Sequence, residues 1–472
     1  MDPKTVVKEA PTETLRDTEE MLRAPVAAPL VPVPLEVLIP EARQQTPAVG
    51  QRAQRPDCRL HGLGQTKYID DFYLPGMLYA KIKRAGVASA KILSVDTTEA
   101  EAMPGVAAVI TGRDIPCNSF GPSLKDQPVL ADERVFYAGD GVAAVAAVTE
   151  QIAQDALEKI KVEYEELTPV LDPLESLKLE TPGLHAPNAN IYGHKIIKKG
   201  DVEKGFAESD RIFEGHYRTQ MVEHVPLEPH ASVATWDANG RLTVYSTLGR
   251  ITLGRADIAR TLGIPMSRIR VVATIVGGNF GGKNEITTEP VVALLSKKTG
   301  RPVKCTFTRP EEFISSTTRH PLIMDYKTGV SKEGKILARQ IRIVLDGGAY
   351  CSWSETTLGK ACILSAGPYR IDNLLAEAFV VYTNKTMTGA MRGFGAPQVC
   401  FAYESQMDDI ATALNIDPFE LRMMNLLKNG SLSPTGQTLQ SVAVQESLVQ
   451  AAERFGWHGN GSGNASGEGV RA

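Results

Sequence analysis

Long apolar runs and an excess of one charge are both missing from this sequence of 472 residues. Apolar stretches such as residues 142–148 fall far short of the roughly 18 consecutive apolar residues that a membrane-spanning helix needs. The 51 Lys and Arg residues nearly balance the 55 Asp and Glu residues, which argues against a nucleic-acid-binding surface spread over the whole molecule. Residues 1–10 contain no apolar core and no cleavage site of a signal peptide. We therefore expect a soluble, cytoplasmic, globular protein with no membrane span and no nucleic-acid partner.

Grouped cysteines are also missing. No C-x-x-C pair occurs, so the spacing of a zinc site or of an iron–sulfur cluster is not present. The pattern instead predicts buried free thiols, and any electron relay would have to lie on another chain. The six scattered cysteines are Cys58, Cys117, Cys305, Cys351, Cys362 and Cys400.

Aromatic residues are absent from the first 56 residues, which hold nine of the 29 prolines and one glycine. Such a stretch can build little core, and we predict an extended Pro-rich arm over 1–56. The Gly-, Ser- and Asn-rich end of the chain predicts a flexible tail over 457–472.

Between these ends the pattern predicts an α+β body of two domains, 57–170 and 196–456, joined by a turn-rich linker over 171–195. Thr149 is expected to cap one helix, and Asp417 with Pro418 to open another. Strands are predicted at 77–84, 106–111, 241–248, 268–276 and 335–346, and further helices near 254–262, 287–299, 398–414 and 440–455.

The densest chemical signal is the glycine-rich segment 276–285, Val-Gly-Gly-Asn-Phe-Gly-Gly-Lys-Asn-Glu. Four glycines in six residues let a backbone approach a ligand closely and turn successive N–H groups towards anionic oxygens. The segment nearly matches a nucleotide phosphate loop, but Asn284 stands where that motif needs a Ser or Thr hydroxyl. A strand-to-helix turn without a ligand is the other alternative.

Two further segments carry polar side chains among turn-forming residues. In Gly389-Ala-Met-Arg-Gly-Phe-Gly-Ala-Pro-Gln398, an Arg buried among small residues could offer its planar fork to an anion or form an ion pair with a carboxylate. In His224-Val-Pro-Leu-Glu-Pro-His230, the prolines prevent the two histidines from sharing a helical face. Turn-forming and hydrogen-bonding roles are therefore expected there rather than metal ligation.

Taken together, three motifs resemble the molybdenum hydroxylases, the xanthine dehydrogenase and aldehyde oxidoreductase family. They are Leu-Glu-Pro-His-Ala at 227–231, Gly-Gly-Asn-Phe-Gly-Gly-Lys at 277–283 and Met-Arg-Gly-Phe-Gly-Ala-Pro-Gln at 391–398. The resemblance implies an α/β hammerhead domain over 57–170, followed by the first half of the molybdopterin-binding region over 196–456. In this layout the chain is similar to the large molybdopterin subunit of nicotinate dehydrogenase, an enzyme in which the second half of the molybdopterin-binding region is a separate chain.

The resemblance implies a heteromeric oxidoreductase that hydroxylates an electron-poor carbon of an aromatic, N-heterocyclic or aldehyde substrate with water-derived oxygen. Its cofactor would be molybdenum–molybdopterin in the cytosine dinucleotide form, with [2Fe-2S] clusters and FAD on partner subunits. No catalytic residue and no protein metal ligand is expected in this chain, because the general-base Glu of the family lies in the second molybdopterin-binding half. The implied cofactor-binding residues are Gly278, Phe280, Gly281, Arg392 and Gly393, and the implied substrate-binding residues are Asn284, Lys360 and Phe394.

The chain departs from the xanthine-type pattern at the substrate end. Asn284 replaces a purine-binding Glu, with Glu285 one step on, and Lys360 replaces an Arg. Where the family has a Gln that reaches molybdenum's apical oxygen, this chain has either Leu248 or Gly249. Xanthine is therefore not the expected substrate. The alternatives are a reductive dehydroxylase of an aromatic thioester, a non-catalytic assembly subunit and, least favoured, a nucleotide hydrolase.

Overall fold

The structure is a computed structural model that describes residues 55–178, 180–186 and 190–457. The predicted arm, apart from residues 55 and 56, and the predicted tail, apart from Trp457, lie outside the described residues. The described chain divides into one unit that ends at Thr66 and a second that begins at Lys67. The first unit holds a single described helix, and all other elements belong to the second.

The strands of the described residues are β1 (Leu78–Arg84), β2 (Ala90–Asp96), β3 (Val106–Thr111), β4 (Arg134–Val135), β5 (Gly141–Ala147), β6 (Lys161–Glu166), β7 (Ile191–Lys199), β8 (Arg211–Arg218), β9 (Val222–Glu223), β10 (Ala231–Trp236), β11 (Leu242–Ser246), β12 (Ile269–Ala273), β13 (Val303–Thr306), β14 (Thr318–Arg319), β15 (Leu322–Val330), β16 (Ile336–Asp346) and β17 (Asn373–Val381).

The α-helices of the described residues are α1 (Cys58–Gly62), α2 (Thr98–Glu101), α3 (Glu150–Leu157), α4 (Pro173–Ser176), α5 (Val202–Ala207), α6 (Ile251–Leu262), α7 (Glu289–Thr299), α8 (Arg309–Ser315), α9 (Ser354–Leu364), α10 (Ala396–Leu414), α11 (Pro418–Asn425) and α12 (Val444–Phe455). Single 3₁₀ turns lie at Ile69–Asp71, Gly112–Asp114, Met266–Arg268 and Gly282–Asn284.

A mixed seven-stranded sheet has the order β12-β11-β10-β13-β1-β5-β3. It combines strands from both predicted domains, and β1 pairs parallel with β13 across that division. Apolar residues of the sheet pack against α7, whose Val291, Val292 and Leu295 are buried, and against Ile258 of α6. This core holds the ends of β11 and β12 next to the glycine-rich segment.

A five-stranded sheet has the order β7-β17-β16-β15-β8, with β16 and β17 parallel and the other pairs antiparallel. Leu358 of α9 and Met407 and Ile410 of α10 are buried in the core of this sheet. The loops that lead into α9 and α10 are thereby held beside each other. Smaller sheets have the orders β4-β2-β6 and β14-β9.

Both predicted helix caps are present. The Thr149 hydroxyl accepts a hydrogen bond from the Ile152 N–H at 3.2 Å, and the Asp417 carboxylate accepts one from the Phe419 N–H at 2.8 Å. Each satisfies a backbone donor that the first turn of a helix leaves unpaired.

Several predicted boundaries shift. The strand predicted over 268–276 ends at Ala273, because its partner β11 ends at Ser246 and offers no further pairing. Residues 171–195, predicted as linker, contain α4 and the first residues of β7. The helices predicted near 398 and 440 begin at Ala396 and Val444 respectively.

All six cysteines are free thiols, as predicted, but burial holds only for Cys305, Cys351 and Cys362. The others lie on partly or fully exposed segments, where the scattered pattern carries no information about burial. No helix among the described residues has the length and apolar character needed to cross a membrane.

Candidate functional site

The glycine-rich segment leaves β12 and crosses to α7 in a conformation that requires glycine. Gly278 and Gly281 have φ values of 106° and 111°. A Cβ atom on Gly281 would lie 2.4 Å from the carbonyl oxygen of Ala390. The segment therefore lies directly against the loop at 389–395, an approach that only a residue without a side chain allows.

The loop at 389–395 is bonded to the glycine-rich segment through backbone. The Arg392 N–H donates to the carbonyl oxygen of Phe280 at 2.9 Å. The Arg392 guanidinium lies over the Phe280 ring, 5.2 Å from its centroid. The prediction that this Arg is buried is wrong, because residue Arg392 is exposed. It has no ion pair with a carboxylate among the described residues, so its charge is available to a ligand.

Strained backbone occurs in the glycine-rich segment, in the loop at 389–395, in the loop after β9 and just before α9. Val225, Phe280, Ser352 and Phe394 have φ values of 45°, 50°, 45° and 49°, the left-handed region that non-glycine residues rarely adopt. Each such residue costs about 1–3 kcal/mol and persists only where the surrounding structure enforces it. Such residues cluster at ligand sites, and the sequence pattern did not reveal them.

A buried ion pair of His230 and Glu312 contacts the backbone of the glycine-rich segment. His230 Nδ1 donates to Glu312 at 2.9 Å, and His230 Nε2 donates to the carbonyl oxygen of Gly282 at 3.2 Å. Burial alone would lower the pKa of His230, but the hydrogen bond and charge of Glu312 outweigh it and raise that pKa. Burial likewise opposes ionisation of Glu312, yet His230 lowers the Glu312 pKa. The imidazolium thus finds an acceptor for each of its N–H groups.

A second buried pair fixes the lysine of the segment. The Lys283 ammonium donates to the carbonyl oxygen of Glu228 at 2.6 Å and to the Glu228 carboxylate at 3.1 Å. The same carboxylate accepts from the Gly277 N–H at 2.7 Å. Burial lowers the pKa of Lys283 despite this partner. The lysine therefore braces the segment rather than pointing out of it.

The predicted hydrogen-bonding roles of the two histidines are confirmed. His224 Nε2 donates to the carbonyl oxygen of Ala390 at 2.8 Å, which joins the loop after β9 to the loop at 389–395. Across the described ranges, no three His, Cys, Asp or Glu side chains are grouped so as to hold a metal ion.

The predicted substrate end is a row of two aromatic rings with a cation on each. The Lys360 ammonium lies 5.0 Å from the centroid of the Phe394 ring. Phe394 meets Trp353 at 6.4 Å in an edge-to-face arrangement, and the Arg250 guanidinium lies 4.6 Å from the Trp353 centroid. Sequence reasoning missed Arg250 and Trp353, because they are about 100 residues apart and belong to no motif. Neither Lys360 nor Arg250 has a carboxylate partner among the described residues.

Asn284 lies beside Gly249, where an added Cβ would be 3.2 Å from Asn284 Oδ1. Glu285, next to it, accepts a hydrogen bond from the Ser352 hydroxyl, and burial raises the Glu285 pKa to about 7. This bond fixes the residue that precedes Trp353. The contacts thus connect the glycine-rich segment with the loop at 389–395 and with the residues that precede α9.

Leu248 and Gly249 lie in different surroundings. Leu248 is buried in the apolar core, where a Cβ on Gly254 would lie 2.5 Å from its side chain. Gly249 faces the site, and a Cβ there would lie 2.0 Å from Asn279 Nδ2. Asn279 Oδ1 accepts a hydrogen bond from the Gly281 N–H at 2.8 Å. The amide N–H groups of Asn279 have no hydrogen-bond acceptor among the described residues. Asn279 therefore occupies the space that a side chain at 249 would fill. The one signal that could have found it is an Asn within the glycine run.

Residues 184–426 match the family described as molybdopterin cofactor-binding domain. Residues 63–168 match the family described as aldehyde oxidase and xanthine dehydrogenase, a/b hammerhead domain.

The chain is 40% identical over 422 residues to a probable xanthine dehydrogenase subunit of Bacillus subtilis, covering 87% of this chain and 56% of that protein. It is 37% identical over 408 residues to the nicotinate dehydrogenase large molybdopterin subunit of Eubacterium barkeri, covering 86% and 96% respectively. Among solved structures, aldehyde oxidoreductase from Desulfovibrio gigas superposes with a TM-score of 0.83 at 30% identity, over 86% of this chain and 46% of that one. The chain thus spans about half the length of several curated relatives that it matches.

Proposed function

Because the chain belongs to the xanthine dehydrogenase and aldehyde oxidoreductase family, we propose that it is the molybdopterin-binding subunit, first half, of a multi-subunit molybdenum hydroxylase. The observation that carries this proposal is the junction of the two glycine-rich loops. There the exposed Arg392 guanidinium, without a carboxylate partner among the described residues, stands beside backbone that only glycine can form.

The residues of this junction fit a large anionic cofactor. Positive φ values at Gly278, Gly281 and Gly393 shape the backbone of the two loops, and Arg392 supplies a fixed positive charge. The carbonyl oxygen of Phe280 accepts the hydrogen bond from the Arg392 N–H that joins the two loops. We assign molybdopterin, in the cytosine dinucleotide form, to this cradle. When bound, it would supply the redox chemistry that oxidises an electron-poor carbon with water-derived oxygen.

Asn279 completes the cradle. We assign the position of the family's glutamine to Gly249 rather than to Leu248, because the Asn279 amide fills the space in front of that glycine. In our proposal its N–H groups donate to the cofactor in place of the missing glutamine amide. This compensation weighs against a non-catalytic assembly subunit.

At the substrate end, Phe394 offers a ring for stacking, and Lys360 offers a point charge above that ring. Asn284 is neutral where a purine-binding site has a carboxylate. This combination suits an anionic or carbonyl group on an aromatic or N-heterocyclic ring, or an aldehyde, better than it suits xanthine. Reductive dehydroxylation of an aromatic thioester would use the same groups in the opposite direction.

The rest of the reaction would come from partners. We propose that a second molybdopterin-binding chain carries the general-base Glu, and that iron–sulfur and FAD subunits carry electrons away in the cytoplasm. Two observations support this. The chain matches 96% of a nicotinate dehydrogenase large molybdopterin subunit. Within the described part of the chain the cysteines are free and scattered, so they form no cluster-binding set.

A phosphate loop of a nucleotide hydrolase is the less suitable alternative. Its lysine must reach the β- and γ-phosphates. Here Lys283 is 1% exposed and is held by Glu228.

The test is metal and nucleotide analysis of the purified complex. We expect near-stoichiometric molybdenum and release of a cytosine nucleotide on hydrolysis, with little cofactor and no turnover from this chain expressed alone. A complex that contains neither metal nor nucleotide would support the assembly-subunit alternative. Robust activity from the isolated chain would refute the divided arrangement.

A further inference from the structure

The Arg250–Trp353 pair is not used by the proposed function. We propose that this pair binds a second anionic group of the substrate, so that the preferred substrate class is an aromatic or N-heterocyclic dicarboxylate. This inference rests on the proposed function, because it concerns the same pocket.

Neither helix capping nor an ion pair within the described residues explains Arg250. It is the N-cap residue of the 12-residue helix α6, and its side chain makes no capping hydrogen bond. A cation at this end opposes the helix dipole, and the first turn contains no acidic residue that would compensate. Arg250 is exposed and has no ion pair among the described residues. Its one described side-chain contact is with the face of Trp353.

Trp353 is held in place by its neighbours. The residue before it, Ser352, has a φ of 45° and donates its hydroxyl hydrogen bond to the buried Glu285. The Trp353 ring meets Phe394 edge-to-face at 88°. Its Nε1–H is buried and has no acceptor in the described chain. A buried donor without a partner is costly, and a carboxylate oxygen of a ligand would satisfy it.

The two positive charges of Lys360 and Arg250 favour a substrate with two acidic groups. Lys360 lies over Phe394 and Arg250 over Trp353, so one cation stands at each ring of the row. An aromatic monoacid would neutralise one of them, whereas a diacid would neutralise both. Guanidinium also binds a carboxylate through two parallel hydrogen bonds, which favours a planar acidic group at Arg250.

The test is calorimetric titration of the assembled complex with pyridine-3-carboxylate and with a panel of pyridine dicarboxylates. In the wild type, we expect at least one dicarboxylate to bind about tenfold tighter than the monocarboxylate, which is about 1.4 kcal/mol. Arg250→Gln should abolish this preference, because the dicarboxylate loses one charge contact. The affinity for the monocarboxylate, which has no second carboxylate for Arg250, should change by less than about twofold. Arg250→Lys keeps the charge and should retain part of the preference. Arg270→Gln removes an exposed arginine of β12 and serves as the matched control.

Molybdenum content is measured on every variant and separates the two proposals. A complex that holds molybdenum and binds the monocarboxylate, but shows no dicarboxylate preference, would overturn this inference and leave the proposed function intact. The same holds if Arg250→Gln weakens both ligands equally. A wild-type complex without molybdenum would overturn the proposed function, and this inference would fall with it.

Discussion

The buried pair of His230 and Glu312 should control both the stability of the chain and the conformation of the cofactor cradle. Glu312→Gln removes the negative charge and leaves a side chain of similar size. The imidazolium of His230 would then be buried without a compensating charge, because its other acceptor is the neutral carbonyl oxygen of Gly282. Removing one partner of a buried ion pair costs about 3–5 kcal/mol. Since a glutamine oxygen can still accept from the His230 backbone, we expect a loss of about 3 kcal/mol, the lower end of that range.

The pH dependence of this loss has a definite sign. The folded-state pKa of His230 is raised above its usual 6.5, so its contribution to stability is fully present below that pH and is lost as pH rises through the folded pKa. The folded-state pKa of Glu312 is lowered below its usual 4.5, so its contribution is present above that pH and is lost as pH falls through the folded pKa. The difference in unfolding free energy between wild type and Glu312→Gln should therefore be largest between these two ordinary values.

Urea unfolding of the full chain, followed by circular dichroism from pH 4.5 to pH 10, measures that difference. Glu133→Gln is the matched control, because Glu133 is exposed and forms no ion pair among the described residues. We expect the control to lie within about 0.5 kcal/mol of the wild type at every pH. A variant as stable as the wild type at pH 6, or a difference that is constant over the whole range, would refute a charged pair at this position.

Three further predictions concern the cradle and the pocket. Arg392→Ala should lower the molybdenum content of the assembled complex together with its activity, because a charge-assisted contact worth about 1.5–3 kcal/mol is lost; full metal content at normal rates would make Arg392 merely structural. Asn279→Leu, which keeps the volume but removes the amide, should lower activity and alter the visible spectrum of the molybdenum centre, and an unchanged spectrum and rate would exclude the compensation for Gly249. Lys360→Met should raise the KM for an anionic aromatic substrate by about tenfold, or about 1.4 kcal/mol, and leave the KM of the matching carboxamide unchanged. If xanthine proved the best substrate, or if both KM values stayed the same, the pocket assignment would be wrong.

The sequence alone determined the elements and motifs that depend on neighbouring residues. The caps at Thr149 and Asp417 were predictable because a side chain two or three residues away satisfies the backbone of the first turn. The family was predictable because the motifs at 227–231, 277–283 and 391–398 resemble those of the molybdenum hydroxylases.

Only the tertiary structure decided which side chains of distant segments meet. The pairing of Arg250 with Trp353 depends on how α6, which packs on the seven-stranded sheet, lies relative to α9, which packs on the five-stranded sheet. No residue close to either one in sequence specifies this arrangement. The exposure of Arg392 was mispredicted for the same reason. Small neighbours in sequence do not determine where an Arg side chain lies relative to the ring of a distant residue such as Phe280. The different surroundings of Leu248 and Gly249 come from the core around Gly254, which accepts the apolar side chain of Leu248 and turns the glycine towards Asn279. Packing and electrostatics act through space, and the order of residues determines them only through the complete fold.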